Sequence, residues 1–157
     1  MTEKNQLGRP TAAFIGASWF VLVLGMALYF IGLWNANMEL NEKGYYLTVF
    51  LFGLFAGVSL QKAVRDRAED IPVTSIYLGI AWFALLASLT LLAVGLWNAG
   101  LLPSEKGFYG IGYAMTLFAV IAVQKNIRDL AAYRLVYPEQ VQHRVGPGDD
   151  TRFGPTL

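Results

Sequence analysis

The sequence lacks cysteine and is poor in charge, and each shortage excludes a class of protein. Without cysteine the chain has no disulfide, no thiolate metal site and no cysteine nucleophile. Charged residues are 15% of its 157 residues, against roughly a quarter in soluble domains. The net charge of +1 gives no reason to expect a surface that binds nucleic acid. A chain with so few charges cannot cover an apolar core in water.

What the chain has instead is four long runs without a charged residue, at 11–33, 44–61, 75–103 and 107–124. Because a helix rises 1.5 Å per residue, about 20 residues cross a hydrocarbon layer of roughly 30 Å. The two shorter runs reach this length if Lys62 and Lys125 extend their ammonium groups to the headgroups. The first run is too long for a secretory signal peptide, so we expect it to be retained. The sequence predicts an all-α membrane protein with four transmembrane helices.

The basic residues lie mostly on one side of this four-helix plan. Only Lys43 and Lys106 lie on the other side. The ten on the majority side are Lys4, Arg9, Lys62, Arg65, Arg67, Lys125, Arg128, Arg134, Arg144 and Arg152. The positive-inside rule then places both termini and the middle loop in the cytoplasm and the two short hairpin loops outside. Aromatic residues flank the two outer loops and predict the level of the headgroups: Trp34, Trp97, Tyr45, Tyr46, Phe108 and Tyr109.

The chain contains an internal repeat. A shift of 63 positions aligns Trp19–Asp66 with Trp82–Asp129 without a gap, and 20 of the 48 pairs are identical. Identity is concentrated near the outer loops and at the cytoplasmic ends, while the stretches between them diverge. Each copy holds two spans, so both copies cross the membrane in the same orientation. We therefore expect two tandem helical hairpins related by a pseudo-two-fold axis along the membrane normal.

These patterns divide the chain into five segments. Residues 1–10 form a cytoplasmic N-terminal segment, 11–66 the first two-helix repeat, 67–73 a cytoplasmic linker, and 74–129 the second repeat. Residues 130–157 form a cytoplasmic tail, which we expect to be disordered after about 138 because it is rich in proline, glycine and acidic residues. His143, the only histidine, lies in this tail and is interpreted as a solvated residue.

GLWNA occurs in both copies, and NEKGYY and QKAVRD of the first copy recur in part as SEKGFY and QKNIRD. These patterns resemble the YiaA/YiaB family of bacterial inner-membrane proteins, which is described by a two-helix domain. The resemblance covers about residues 11–130 in two copies. It implies a multi-pass inner-membrane location and carries no catalytic residue or cofactor over to this chain. In the second copy Pro103 and Ser104 stand where Leu40 and Asn41 do, which weakens any role that needs two identical loops.

The outer-loop motif is the first candidate site, and it has two interpretations. It comprises Trp34, Asn35, Glu42, Lys43 and Gly44, with Trp97, Asn98, Glu105, Lys106 and Gly107 in the second copy. In the first interpretation Asn35 and Asn98 end one helix, Asn41 or Ser104 caps the next, and the carboxylate complements the helix start. In the second, Glu42 pairs with Lys106 and Glu105 with Lys43 across the axis.

The cytoplasmic-end motif is the second candidate site: Gln61, Lys62, Arg65, Asp66, Gln124, Lys125, Arg128 and Asp129. Each aspartate follows a lysine by four residues, which allows a weak ion pair on one helix face. These residues fit a role in setting the orientation of the helices in the membrane. The alternative hypothesis is that they bind anionic lipid headgroups. Gly53 and Gly57 form a GxxxG pair that predicts close helix packing, within the chain or between chains.

No reaction centre is apparent between the interfaces, where the sequence has hydroxyls but no Asp, Glu, Lys, Arg or His. Proton-coupled carriers usually place an ionisable group there. We therefore expect a non-enzymatic inner-membrane protein without a cofactor, acting through helix packing, lipid contact or an unknown protein partner, with homo-oligomerisation open. The alternative is a small channel or uniporter with its pathway along the pseudo-two-fold axis.

Overall fold

The fold is all-helical over residues 10–137, the part of the chain that this computed structural model describes. Its helices are α1 (Ala12–Asn35), α2 (Leu40–Ala68), α3 (Ser75–Asn98) and α4 (Pro103–Val136). All four are long and apolar enough to cross a membrane, with mean hydropathies of 2.2, 1.7, 2.1 and 1.5 over their best windows. The predicted four-helix membrane architecture is confirmed. Lys4, Arg9, His143 and the predicted disordered tail lie outside the described residues.

The helix ends repeat with the same 63-residue shift. Thr11 Oγ1 accepts a hydrogen bond from Phe14 N at the start of α1, and Thr74 Oγ1 accepts one from Tyr77 N at the start of α3. These side chains satisfy amides that have no partner within a helix. α1 and α3 are both 24 residues long and end at Asn35 and Asn98. Local sequence therefore places corresponding boundaries in both repeats.

The two helices of each hairpin contact each other less than they contact the helices of the other repeat. α1 lies mainly against α4, and α3 lies mainly against α2, so each outer helix packs on a helix of the other repeat. α2 and α4 contact each other in the centre. The 63-residue shift exchanges these contacts, as expected for a pseudo-two-fold axis between α2 and α4. We call the end that holds both short connections, 36–39 and 99–102, the hairpin end, and the opposite end the linker end.

Aromatic side chains fill the centre of the hairpin half. Tyr29 and Phe50 stack with their ring centroids 4.2 Å apart, and Tyr46 and Tyr109 stack at 6.2 Å. Tyr29 Oη donates to Tyr46 O. Tyr46 and Tyr109 are each only 4% exposed, so their rings pack between helices and do not face lipid. Their place at the headgroup level stays a prediction.

The tryptophans behave differently from these tyrosines. Trp34 and Trp97 are each 84% exposed at the last turn of α1 and α3. Indole rings favour the headgroup region, where the apolar ring and the N–H group are both accommodated. They place the end of α1 and α3 at a membrane interface.

The glycine pair of α2 lies in the central interface. A Cβ at Gly53 would overlap Tyr113 Oη, and one at Gly57 would lie 2.5 Å from Leu117 Cδ1. Both contacts are with α4 of the same chain. The absence of side chains at 53 and 57 therefore allows α2 and α4 to approach closely.

Paired pockets at the hairpin end

Two equivalent cavities lie at the hairpin end, each between one repeat and the other; a third, of about 410 Å³, lies within the second repeat between α3 and α4 and is lined by Ala93, Leu96, Trp97 and Lys106. The first, of about 260 Å³, lies between the start of α2 and the end of α3 and is lined by Asn41, Glu42, Tyr45, Tyr46, Gly95, Asn98 and Ala99. The second, of about 300 Å³, lies between the start of α4 and the end of α1 and is lined by Ser104, Glu105, Phe108, Tyr109, Gly32, Asn35 and Ala36. Every lining residue of one cavity is 63 positions from a lining residue of the other. We call them the first and second hairpin-end pockets.

The glutamate of each pocket caps the N-terminus of its own helix. Glu42 Oε2 accepts from Glu39 N at 3.0 Å, and Glu105 Oε2 accepts from Leu102 N at 2.8 Å. These bonds are the glutamate half of a capping box, because the carboxylate satisfies an amide with no helical partner. Our prediction that Asn41 or Ser104 caps the helix is wrong, since α2 already begins at Leu40 and α4 at Pro103. Asn41 Oδ1 instead accepts from the neighbouring Glu42 N.

The asparagine of each pocket is held by its own helix. Asn35 Nδ2 donates to Ile31 O and Asn98 Nδ2 donates to Val94 O, both at 2.8 Å. A carbonyl oxygen only accepts, so the amide nitrogen must be the group that faces it. The side-chain oxygen of each asparagine is thus the atom that remains for another partner.

Small residues at the ends of α1 and α3 leave room for the rings. A Cβ at Gly95 would lie 2.6 Å from Tyr45 Cε1, and a Cβ at Gly32 would lie 2.8 Å from Phe108 Cε1. Tyr45 Oη also donates to Leu91 O at 2.6 Å, a bond that Phe108 cannot make. The two pockets therefore share a backbone shape but differ by this hydroxyl and by the Asn41-to-Ser104 change.

The lysines of the motif do not cross between the loops. Lys43 Nζ donates to Trp34 O at 2.9 Å, and Lys106 Nζ donates to Trp97 O at 3.1 Å. Within residues 10–137 the structure records five ion pairs, all at the linker end. The structure thus does not bring Glu42 to Lys106 or Glu105 to Lys43. Each lysine ties together the two helices of its own hairpin.

The linker-end motif forms ion pairs along each helix. Asp66 lies 2.6 Å from Arg65 and 3.4 Å from Lys62, and the second copy has the same arrangement with shorter lysine contacts: Asp129 with Arg128 at 2.9 Å and with Lys125 at 2.6 Å. Arg128 also pairs with Glu69 of the linker. Gln61 and Gln124 have buried Oε1 atoms without a hydrogen-bond partner. The basic groups here are largely neutralised by their own helices.

The family model of the "yiaA/B two helix domain" matches the chain twice, over residues 14–66 and 77–129. The chain belongs to this family. Both matches fall on the two repeats, so a YiaA/YiaB two-helix domain corresponds to one hairpin of the fold. Because the hairpin-end pockets need residues from α2 with α3 and from α4 with α1, each pocket forms only where two such domains meet.

The chain is similar to three membrane proteins of two bacteria. "Inner membrane protein YiaA" of Escherichia coli strain K12 is 54% identical over 125 residues, covering 80% of this chain and 86% of that protein. "Uncharacterized membrane protein YubF" of Bacillus subtilis strain 168 is 46% identical over 63 residues, 40% of this chain and 72% of that protein. "Inner membrane protein YiaB" of E. coli K12 is 28% identical over 98 residues, 62% and 83% of the two chains. No solved structure matches the chain.

The sequence singled out part of the pocket lining in this family member and missed the rest. Asn35, Glu42, Asn98 and Glu105 were candidates, and the structure brings them together in pairs across the repeats: Glu42 with Asn98, and Glu105 with Asn35. Trp34, Lys43, Gly44 and their second copies lie beside the pockets without lining them. The aromatic residues and glycines that line the pockets were not predicted as site residues: Tyr45, Tyr46, Gly95, Phe108, Tyr109 and Gly32. Their repetition at the 63-residue shift is the signal that could have found them.

Proposed function

We propose that this inner-membrane protein is a non-enzymatic lipid-binding protein, with both termini in the cytoplasm and both hairpin-end pockets on the outer side. The pair of equivalent cavities, about 260 and 300 Å³, is the observation that carries the proposal. Both lie at the end marked by the exposed Trp34 and Trp97. Because such rings favour the headgroup level, headgroups of the outer leaflet are the molecules nearest to the pockets.

The lining supports binding rather than catalysis. Each pocket holds one carboxylate, and that carboxylate already caps its own helix. A nucleophile or general base is usually activated by a neighbouring histidine, basic residue or second carboxylate. Neither lining includes a histidine, lysine or arginine. The polar groups are placed to contact a ligand and not to transform it.

The packed centre supports lipid binding over the alternative, a small channel or uniporter along the axis. Such a pathway would run between α2 and α4, where Tyr46 stacks on Tyr109 and Phe50 contacts Tyr113 with ring centroids 6.1 Å apart. All four side chains are buried. A solute on the axis would have to displace them.

Native mass spectrometry of the full chain, purified from membranes in mild detergent, tests the proposal. We expect one or two phospholipids retained per chain, with fewer retained when the first pocket is filled by Gly95→Leu. Gly44→Leu is the matched control, because a Cβ at Gly44 meets no atom within 4 Å. Flux of ions or small polar solutes in proteoliposomes, together with no retained lipid, would overturn the proposal in favour of the channel. The mass spectrum also reports the number of chains in the complex.

The orientation is tested separately and makes use of the absence of native cysteine. Single substitutions Glu42→Cys, Glu105→Cys and Arg67→Cys are labelled with a membrane-impermeant thiol reagent. We expect positions 42 and 105 to react in cells with an exposed outer face, and position 67 only after lysis. Labelling of position 67 first would reverse the orientation.

A further inference from the structure

We propose that each hairpin-end pocket binds the primary ammonium group of an amine-bearing lipid headgroup, of the kind that phosphatidylethanolamine carries. This inference rests on the proposed lipid-binding function and adds the chemical class of the ligand. The first pocket offers a carboxylate, an amide oxygen and one partly exposed aromatic ring from Glu42, Asn98 and Tyr45. The second offers the same groups from Glu105, Asn35 and Phe108.

The carboxylates supply the charge. In each pocket one carboxylate oxygen, Oε2, accepts from the backbone amide that precedes the helix. The other oxygen of Glu42 and of Glu105 remains for a ligand. A hydrogen bond between an ammonium group and a carboxylate is charge-assisted and is roughly twice as strong as a neutral one. Each pocket therefore favours a cation that has N–H groups.

The asparagines supply a second acceptor. Because Asn98 Nδ2 and Asn35 Nδ2 are committed to the carbonyls of Val94 and Ile31, each side chain offers its oxygen. An ammonium group has three N–H donors, of which the carboxylate and the amide oxygen take two. A trimethylated ammonium group has no donor and cannot make either bond.

The rings add a site for the positive charge itself. Tyr46 and Tyr109 are buried and stacked on each other, so the faces that a cation can reach are those of the partly exposed Tyr45 and Phe108, which pack edge to face on them. An aromatic face within about 6 Å attracts a cation through the ring quadrupole. The same arrangement recurs in both pockets although Tyr45 is replaced by Phe108, so the ring and not the hydroxyl is the shared feature.

Other ligand classes fit the lining less well. Calcium takes about six to eight oxygen ligands. The first pocket offers one carboxylate and two asparagines, and the second offers one carboxylate, one asparagine and the Ser104 hydroxyl. An anion would face the carboxylate of Glu42 or Glu105 without a basic residue in the lining. Lys43 and Lys106 are held at the carbonyls of Trp34 and Trp97 and do not line the pockets.

The test compares lipids by native mass spectrometry of the full chain in mixed micelles. Phosphatidylethanolamine, phosphatidylcholine and phosphatidylglycerol with identical acyl chains compete for binding. We expect up to two bound phosphatidylethanolamines per chain and a preference of about tenfold over each competitor. Glu42→Gln should remove the preference at one site and Glu42→Gln with Glu105→Gln at both. Glutamine still accepts from the capped amide, so the helix starts are preserved.

Glu39→Gln is the matched control, because Glu39 is an exposed carboxylate at the same end that lines neither pocket. It should leave the preference unchanged, and circular dichroism should show equal helix content in all variants. Retained lipid with no preference among the three headgroups, or equal loss in Glu39→Gln, would overturn the ammonium assignment and leave lipid binding intact. No retained lipid would overturn both. Displacement of the lipid by free ethanolamine at equal concentration would overturn the lipid as the source of the ammonium group.

Discussion

The α1–α4 interface and the α2–α3 interface are equivalent places in the two repeats, yet they hold different residues. In the first, Asn126 Nδ2 donates to Ser18 Oγ at 3.1 Å, and both side chains are buried. Shifted by 63 positions, the same two places in the second interface are Ala63 and Ala81, which are also buried. A polar contact and a pair of alanines therefore serve the same position in the fold.

A second difference lies deeper in the bundle and concerns size. On one side Gly25 of α1 faces Thr116 of α4, whose Oγ1 a Cβ at position 25 would overlap. On the equivalent side the larger residue is Ser88 of α3, and Gly53 of α2 is the small one. Tyr113 Oη fills the space beside Gly53 and donates to Ser88 Oγ at 3.1 Å. The larger residue of the pair therefore lies on the central helix α4 in one interface and on the outer helix α3 in the other.

These differences show what the duplicated fold requires. Within lipid, helices associate through close packing and not through the hydrophobic effect. The two helices of each interface therefore need to fit each other, and the residues that achieve this can differ between the two interfaces. The ends of the helices are constrained further, because turns, caps and charge must be placed at the membrane surfaces. The middle of the repeats could therefore diverge while the two motifs at their ends kept their residues.

The largest loss of stability is expected when a side chain is added at Gly53, whose counterpart in the second repeat is Thr116. Gly53→Ala places a methyl group against the Tyr113 hydroxyl and ring, and overpacking of this kind costs about 1–3 kcal/mol. Thermal unfolding in detergent, followed by circular dichroism, measures the loss. Tyr113→Phe, which restores the residue type of its counterpart Phe50, should recover part of it because the hydroxyl oxygen is the nearest atom.

Gly44→Ala is the control for this substitution, since it adds the same methyl group to α2 where no atom lies within 4 Å. It should be neutral or raise stability by up to about 1 kcal/mol, as alanine favours the helix. An equal loss from both substitutions would mean that the close approach of α2 and α4 is not what position 53 provides.

A smaller loss of stability is expected when the α1–α4 interface is given the alanine found at the same place in the α2–α3 interface. Asn126→Ala removes the hydrogen bond to Ser18 and should cost about 1 kcal/mol, the scale of such bonds between membrane helices. The buried Asn126 Oδ1 has no partner, and removing it offsets part of the loss. A double-mutant cycle with Ser18→Ala measures the coupling in the same unfolding experiment.

The counterpart substitution Ala81→Ser tests the same position in the other interface. Its hydroxyl can bond to its own helix, so the stability should hardly change. A coupling energy of zero between Ser18 and Asn126, or a large loss from Ala81→Ser, would contradict the distinction between the two interfaces.

The smallest effect concerns the arginines at the linker end. Arg128 pairs with both Asp129 and Glu69 of the linker, whereas Arg65 pairs with its neighbour Asp66. Both partners of the Arg128–Glu69 pair are partly exposed, so Arg128→Gln should change global stability by less than about 1 kcal/mol. Hydrogen exchange of the backbone at 69–74 should nevertheless rise. Arg65→Gln is the comparison, and an equal rise there would show that Glu69 does not hold the linker.

Much of the fold could be predicted because its signals are local. Charge-free runs give the spans, and the 63-residue repeat gives the tandem hairpins. The end of α4 was less predictable: the helix continues to Val136, past the repeat boundary at Asp129, because residues such as Leu130 and Ala131 are good helix formers. No glycine or proline follows that boundary before Pro138.

The arrangement of the helices could not be predicted in the same way. Residues that face lipid and residues that face another helix are both apolar, so hydropathy does not reveal that α1 packs on α4 instead of α2. The pockets depend on that arrangement. Tyr45 meets Leu91 O across 46 residues, and neither position carries a local signal of the contact. Sequence therefore identified the polar residues of the pockets but not the walls that enclose them.

The small contact between the two helices of each hairpin has a consequence for biogenesis. When α1 and α2 have entered the bilayer, the surfaces that they will bury against α3 and α4 have not yet been synthesised. The first half of the chain must wait in the membrane as two loosely associated helices, with its interior glycines and tyrosines facing lipid. These surfaces are covered only when α3 and α4 have entered the bilayer beside them.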